Sequence, residues 1–300
     1  MSSSTSSDSV GLGATGAPGT SSTGTSNTGT SNTGTANTDG SVLSDSLVVT
    51  WRNLKRIPRI PELAIFAILQ SVMFVLLFAF VFGGAIPLPG GGSYREFLMP
   101  GIFAQTLTFA AATTAIGMTD DMAKGLIDRF RSLPMARSAF ITGRTVSDVV
   151  YNAGILIVLM LSGLAVGWRV HNGIAKFLGA FALALVFAYA MSWVGVWLGM
   201  LVPTVEVAQQ VVFTAIFPLT FLSNAFVPLE TLPSWLRWFA EWNPVSAITS
   251  ALRDLFGNPN PYAAGGFPAE HSVLLTLIWT AVIVAIFAPL GVRRYKATSR

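Results

Sequence analysis

The sequence predicts an all-α integral membrane protein of six transmembrane helices, and three observations carry that prediction. Of 300 residues, 52% are hydrophobic and only 11% are charged, whereas a soluble domain is charged at roughly a quarter of its positions. Apolar stretches of about 20 residues recur, long enough at about 1.5 Å per residue to cross a hydrocarbon core of ~30 Å. The 18 basic residues sit in short runs beside those stretches. That is the charge pattern of membrane topology rather than of a nucleic-acid-binding face. There is no cysteine, which excludes a disulfide framework, thiol catalysis and cysteine metal sites and leaves the compartment open.

Residues 1–40 are almost entirely Ser, Thr, Gly, Ala and Asn, with an imperfect repeat from Thr25 to Thr38. Too little apolar surface is present to offset the entropy of ordering, so a disordered cytoplasmic tail is predicted. The tail has neither the basic start nor the apolar core of a secretory signal, so the first hydrophobic segment reads as a permanent anchor. Residues 41–60 follow as an amphipathic helix. Leu47, Val48, Trp51 and Leu54 recur at helical spacing, Ser44 is placed to cap, and Leu43 to staple onto Val48. Trp51 with Arg52 and Lys55 suits a helix lying in the headgroup layer. A plain positive-inside anchor fits the same residues. Pro58 and Pro61 then turn the chain into the bilayer.

The region 61–295 holds spans at about Glu62–Phe82, Phe97–Met118, Thr145–Val166, Ile174–Met200, Val205–Val227 and Ser272–Val292. The second contains Gln105 and several Thr, so it is predicted to pack against other helices. With the N-terminus cytoplasmic, 13 of the 18 Lys and Arg residues fall on the cytoplasmic side and 5 on the other. The positive-inside rule therefore places both termini in the cytoplasm.

Two connections carry structure of their own. In the loop from Thr119 to Arg144, Thr119 is placed to cap a short helix whose positive end Asp120 and Asp121 favour. Leu126, Ile127, Phe130 and Leu133 form its apolar stripe and Pro134 stops it. A lever that a partner protein pushes on and a helix merely lying on the membrane are both compatible with that stripe. Beyond the fifth span, Trp235, Trp238, Phe239 and Trp242 cluster between Pro233 and Pro244. A short outer re-entrant or interfacial helix is predicted there, then a second from about Ser246 to Phe256 closed by Gly257. An outer gate and an aromatic belt at headgroup level both account for the cluster.

No phosphate-binding Gly-x-x-x-x-Gly-Lys-Ser/Thr loop occurs, so a machine using ATP must borrow the site. His171 and His271 stand 100 residues apart without a metal-ligand pattern. Asp120, Asp121 and Asp128 lack the paired Asp-rich spacing of magnesium-pyrophosphate enzymes. Glu62, Asp148 and Glu206 all fall near cytoplasmic span ends, where snorkelling or water relieves their cost. The near absence of buried carboxylates disfavours an ion-coupled secondary transporter or lone channel. A membrane enzyme acting on a lipid-linked substrate would need convergent acids or histidines.

Three passages resemble the type-2 permeases of ATP-binding-cassette transporters, and most closely daunorubicin/doxorubicin exporter membrane subunits. They are Gly125-Leu126-Ile127-Asp128-Arg129-Phe130-Arg131-Ser132-Leu133-Pro134, then Pro218-Leu219-Thr220-Phe221-Leu222-Ser223 through Phe226-Val227-Pro228, then Leu232-Pro233-Ser234-Trp235-Leu236 with Asn243-Pro244 and Ala251-Leu252-Arg253. The resemblance covers about residues 44–295 and implies a half-transporter, not an enzyme, in the plasma membrane. It implies a second permease copy, as homodimer or heterodimer, and a cytoplasmic ATPase subunit that holds ATP and magnesium, so that no cofactor binds this chain directly. It implies membrane lipids as partners, no nucleic acid, and a hydrophobic or amphipathic drug, antibiotic or lipid as cargo. The family's ATPase-coupling helix carries over to Asp121, Gly125, Arg129, Arg131 and Pro134, with the helix of Trp51, Arg52 and Lys55 beside it. The outer gate carries over to Pro228, Pro233, Trp235, Asn243 and Pro244.

Overall fold

The computed structural model describes residues 69–70, 72–77, 80–81, 93–125, 137–226, 233–260 and 266–297. The predicted tail, the helix of Trp51, Arg52 and Lys55, the loop residues Arg129, Arg131 and Pro134, and Pro228 lie outside the described residues. So does most of the first predicted span, of which residues 69–70 and 72–77 are helical.

Eight helices follow among the described residues: α1 (Tyr94–Ala123), α2 (Arg137–Val166), α3 (Gly173–Gly199), α4 (Val205–Phe221), α5 (Ser234–Trp242), α6 (Pro244–Phe256), α7 (Phe267–Glu270) and α8 (Ser272–Ala297). Four of them, α1, α2, α3 and α8, are long and apolar enough to cross a membrane. α4 has 17 residues and at about 1.5 Å per residue falls short of a ~30 Å core.

α1 is the hub, packing on α2, α3, α4 and α6, as its mixed composition predicts. Its small residues make this possible. Gly195 and Gly199 of α3 lie against the carbonyls of Ala111 and Ala115, where any Cβ would collide. Small residues four apart let two membrane helices approach backbone to backbone. Hydroxyls along the interface bond back to the helix, as Thr108 does to the Ala104 carbonyl at 2.7 Å.

Several boundaries differ from those predicted, two of them where a polar group, Thr119 or Asn224, finds a tertiary partner. Thr119 does not cap a new helix. Its Oγ1 donates to the Ala115 carbonyl at 3.0 Å and the Gly199 carbonyl at 2.9 Å, and α1 continues through Asp120 and Asp121 to Ala123. α2 begins at Arg137 rather than Thr145, so Arg144 belongs to a helix and not to the loop. α4 stops at Phe221 rather than Val227, where Ser223 bonds back to the Thr220 carbonyl and Asn224 reaches Ser246 and Ser250 of α6.

α6 departs furthest. Asn243 caps it, accepting from the Val245 amide at 2.8 Å, Pro244 opens it, and Gly257 closes it at φ 74°. That closure matches the expectation from sequence. The helix is not interfacial, however: Val245 through Arg253 are buried against α1, α3 and α8. α5 does remain on the surface, with Trp235 66% and Phe239 59% exposed.

Candidate functional site

At the end of the molecule holding α5 and α6, a fully buried arginine joins three segments. Arg253 Nε donates to the Phe97 carbonyl at 3.0 Å, and Nη2 to the Asn224 and Ala225 carbonyls at 3.1 and 3.3 Å. A buried charge is tolerable only when it is well partnered, and backbone carbonyls meet Nε and Nη2 here. Around it, the Asn224 amide nitrogen receives from Ser246 no proton but donates one to its Oγ at 3.0 Å, and Asn224 Nδ2 donates to Ser250 Oγ at 2.7 Å. Gly101 lies against the Ala225 carbonyl with no space for a Cβ, so the turn after α4 presses directly onto α1.

Asn243 completes this end. Its Nδ2 donates to the Leu219 and Leu222 carbonyls at 2.7 and 2.8 Å, while its Oδ1 caps α6. One side chain thus stitches the exit of α4 to the entry of α6. Trp168 locks the α2–α3 turn to the same region through Asn258 Oδ1 at 2.8 Å, with its ring edge-to-face on Phe103 and Phe256.

At the opposite end of α1, Arg144 of α2 pairs with Asp121, and its Nε lies 3.4 Å from Asp148 Oδ1. Thr114 donates to Asp148 Oδ2 at 2.7 Å. Thr114, Gly117 and Asp121 share one face of α1, and Gly117 has no Cβ because the Arg144 guanidinium occupies that space. Two carboxylates, one guanidinium and one hydroxyl therefore tie the end of α1 to the start of α2. Asp148 is met by this internal pairing rather than by the snorkelling or water expected of it. Beyond the cluster the chain leaves α1 at Gly125, whose φ of 62° suits glycine.

Residues 45–256, well over half of the chain, match the family described as ABC-2 type transporter. The chain belongs to that family.

Relatives of this ABC-2 permease include a daunorubicin resistance ABC transporter permease protein, DrrB1, of Streptomyces coeruleorubidus. It is 31% identical over 85% of this chain and 87% of its own length. A probable doxorubicin resistance ABC transporter permease protein, DrrC, of Mycobacterium tuberculosis is 23% identical over 84% of this chain and 89% of its own. The inner membrane transport permease YadH of Escherichia coli is 23% identical over 62% of this chain and 72% of its own.

Of the residues expected to matter in the permease, Asp121 lies buried in the last turn of α1 and Gly125 just beyond it, at one end. Pro233, Trp235, Asn243 and Pro244 come together around α5 at the other, the last three lining one cleft. Sequence reasoning missed the Arg144–Asp148 pair and assigned Arg253 no role. The i, i+4 spacing of Arg144 and Asp148 in an apolar helix was the available signal. For Arg253 no local signal existed, since its partners are backbone carbonyls far along the chain.

Proposed function

We propose that this permease is half of an ATP-driven exporter that moves a hydrophobic or amphipathic cargo, a drug, antibiotic or lipid, out across the plasma membrane. The drug-resistance names of its relatives support that cargo class. In this reading six spans place both termini in the cytoplasm, α4 and the helical residues 69–70 and 72–77 supplying the two beyond the four long helices. A second permease copy completes the cargo path, and a separate cytoplasmic ATPase subunit holds ATP and magnesium.

The observation that carries the reading is the Asp121–Arg144–Asp148 cluster at the root of the connection between α1 and α2. Force applied to that connection reaches both helices together, because the ion pairs join them where the chain enters and leaves it. An ATPase docked on Arg129, Arg131 and Pro134, beside the helix of Trp51, Arg52 and Lys55, would move α1 and α2 as a unit. α1 carries the motion to Phe97 and Arg253, and so to the outer gate formed by Pro228, Pro233, Trp235, Asn243 and Pro244.

The test is co-purification of the permease with its ATPase from native membrane, with ATPase assay and export measured for Arg129→Glu/Arg131→Glu. The double variant is expected in the membrane at normal level, with ATPase stimulation and export lost. Normal ATPase capture and normal export would remove the coupling assignment. A stable permease that captures no ATPase would remove the exporter reading and favour a lone channel or a membrane enzyme.

A further inference from the structure

A cleft of about 610 Å³ lies beneath α5, walled by the end of α4 and by Trp279 of α8. That volume is in the range of small-molecule sites, about 300–1,000 Å³. Its lining includes Pro218, Leu219, Trp235, Trp238, Phe239 and Trp279, and no lining side chain carries a charge. Asn243 and Trp279 of the lining are already committed. The Asn243 amide is held by Leu219, Leu222 and Val245, and Trp279 Nε1 donates to the Trp242 carbonyl at 2.9 Å. What the cleft offers an occupant is hydrocarbon contact.

Both walls continue into exposed apolar faces. On α4, Phe217 and Phe221 stack at 4.3 Å beside the cleft residues and are half exposed. On α8, Leu277 and Ile278 precede Trp279 and are also exposed. These helices belong to a membrane permease, so any part of those faces that a second copy leaves uncovered meets lipid. α5 roofs the cleft with exposed Trp235, Trp238 and Trp242, the side chains that settle where hydrocarbon meets headgroups. Its Arg237 and Glu241 pair at 2.8 Å, giving the helix a polar side as well.

We propose that this cleft binds one acyl chain of a membrane phospholipid, with the headgroup outside beside α5. An apolar cleft continuous with lipid-facing surface fills with the surrounding solvent, which here is hydrocarbon. A protein partner would need hydrogen bonds, about one per 100–200 Å² of interface, for which the lining keeps no polar side chain unused apart from indole N–H groups. The chain would wedge α5 apart from α4 and α8, so this site sets the position of α5.

The experiment uses the full-length permease in phosphatidylethanolamine–phosphatidylglycerol vesicles containing a trace of phosphatidylglycerol with a photoactivatable group near the end of one acyl chain. After irradiation, labelled peptides are mapped by mass spectrometry. Labelling of residues 215–222 and 235–242 is expected to exceed labelling of the exposed Ile157–Leu161 face of α2 by about tenfold, the ratio for a site ~1.4 kcal/mol more favourable than bulk lipid contact. Ala215→Trp fills the cleft and should abolish the excess while leaving α2 labelling unchanged. Trp238→Ala, at an exposed position that tolerates truncation, should reduce the excess by itself.

Equal labelling of cleft and α2 in the native protein would overturn the proposal, as would an excess that survives both substitutions. Displacement of the excess by a planar amphipathic drug at stoichiometric concentration would reassign the cleft to cargo. An unlabelled cleft that instead cross-links to a second copy would reassign it to a subunit interface. The measurement needs no ATPase, so its result stands apart from the exporter reading.

Discussion

The guanidinium carbon of Arg253 lies 3.7 Å from the centre of the Phe97 ring, and the same arginine donates through Nε to the Phe97 carbonyl. One residue near the start of α1 thus offers the buried charge both a π face and a backbone acceptor. Cation–π attraction strengthens when both partners are removed from water. The two residues are separated by 156 positions in the chain, so the pair closes the fold from α1 to α6.

Arg253→Met should leave the Phe97, Asn224 and Ala225 carbonyls without their donor, at a cost of roughly 3 kcal/mol, or about 5–10 °C in thermal midpoint. Arg253→Lys keeps the charge but replaces a planar fork with a single ammonium, and is expected to recover less than half of the loss. Thermal unfolding of the purified variants in one detergent measures both. A lysine variant as stable as the native protein would show that charge alone suffices.

Arg144→Gln should cost roughly 3–5 kcal/mol, because it leaves Asp121 and Asp148 facing each other without a cation. Adding Asp148→Asn to that variant is expected to raise stability again, although Asp148→Asn alone lowers it. The double-mutant cycle reports this coupling directly. Additive losses in the cycle would mean that the two groups do not act on each other.

Gly195→Val should force α3 away from the Ala111 carbonyl of α1, an overpacking worth roughly 1–3 kcal/mol or more. Gly179 on the same helix has open space where a Cβ would stand, so Gly179→Ala is expected to be neutral or slightly stabilising. Comparing the two by thermal unfolding separates the helix crossing from helix propensity. Equal losses would discount the crossing.

Asn243 yields a sharper test, because aspartate equals asparagine as an N-cap. Asn243→Asp keeps the acceptor for the Val245 amide but turns a carboxylate oxygen toward the Leu219 and Leu222 carbonyls, where Nδ2 now donates. It is expected to be at least as destabilising as Asn243→Ala, which should cost roughly 2 kcal/mol. An aspartate variant of native stability would reduce Asn243 to a simple cap.

The local signals in the sequence were dependable where a partner lay within a few residues. The expected bounds, from about Ser246 to Phe256 with Gly257 closing, meet those of α6 to within two residues, because a left-handed glycine acts inside one turn. The same helix was misplaced in depth. It was expected at the interface, yet its Ser246, Ser250 and Arg253 are all buried and engage Asn224, Ala225 or Phe97. Arg144 read as a loop charge for a parallel reason: its partner Asp121 is 23 residues away, and Thr114 is 34 residues from Asp148. The aromatic cluster holding Trp235 between Pro233 and Pro244 was legible from its residues, and Asn243 entered through the resemblance. That Asn243 binds the exit of α4 was not visible from it.

The sequence by itself determined that this is a helical membrane protein, where its long apolar helices run, and which family it resembles. Hydrophobic length and turn chemistry are local and nearly additive, so they survive being read one segment at a time. Only the tertiary structure decided where the few charges go. A guanidinium or carboxylate inside the helix bundle is admissible or prohibitive according to the acceptors, donors and counter-charges within a few ångströms of it, and for Arg253, Arg144 and Asp148 other helices, or turns distant in sequence, supply essential partners.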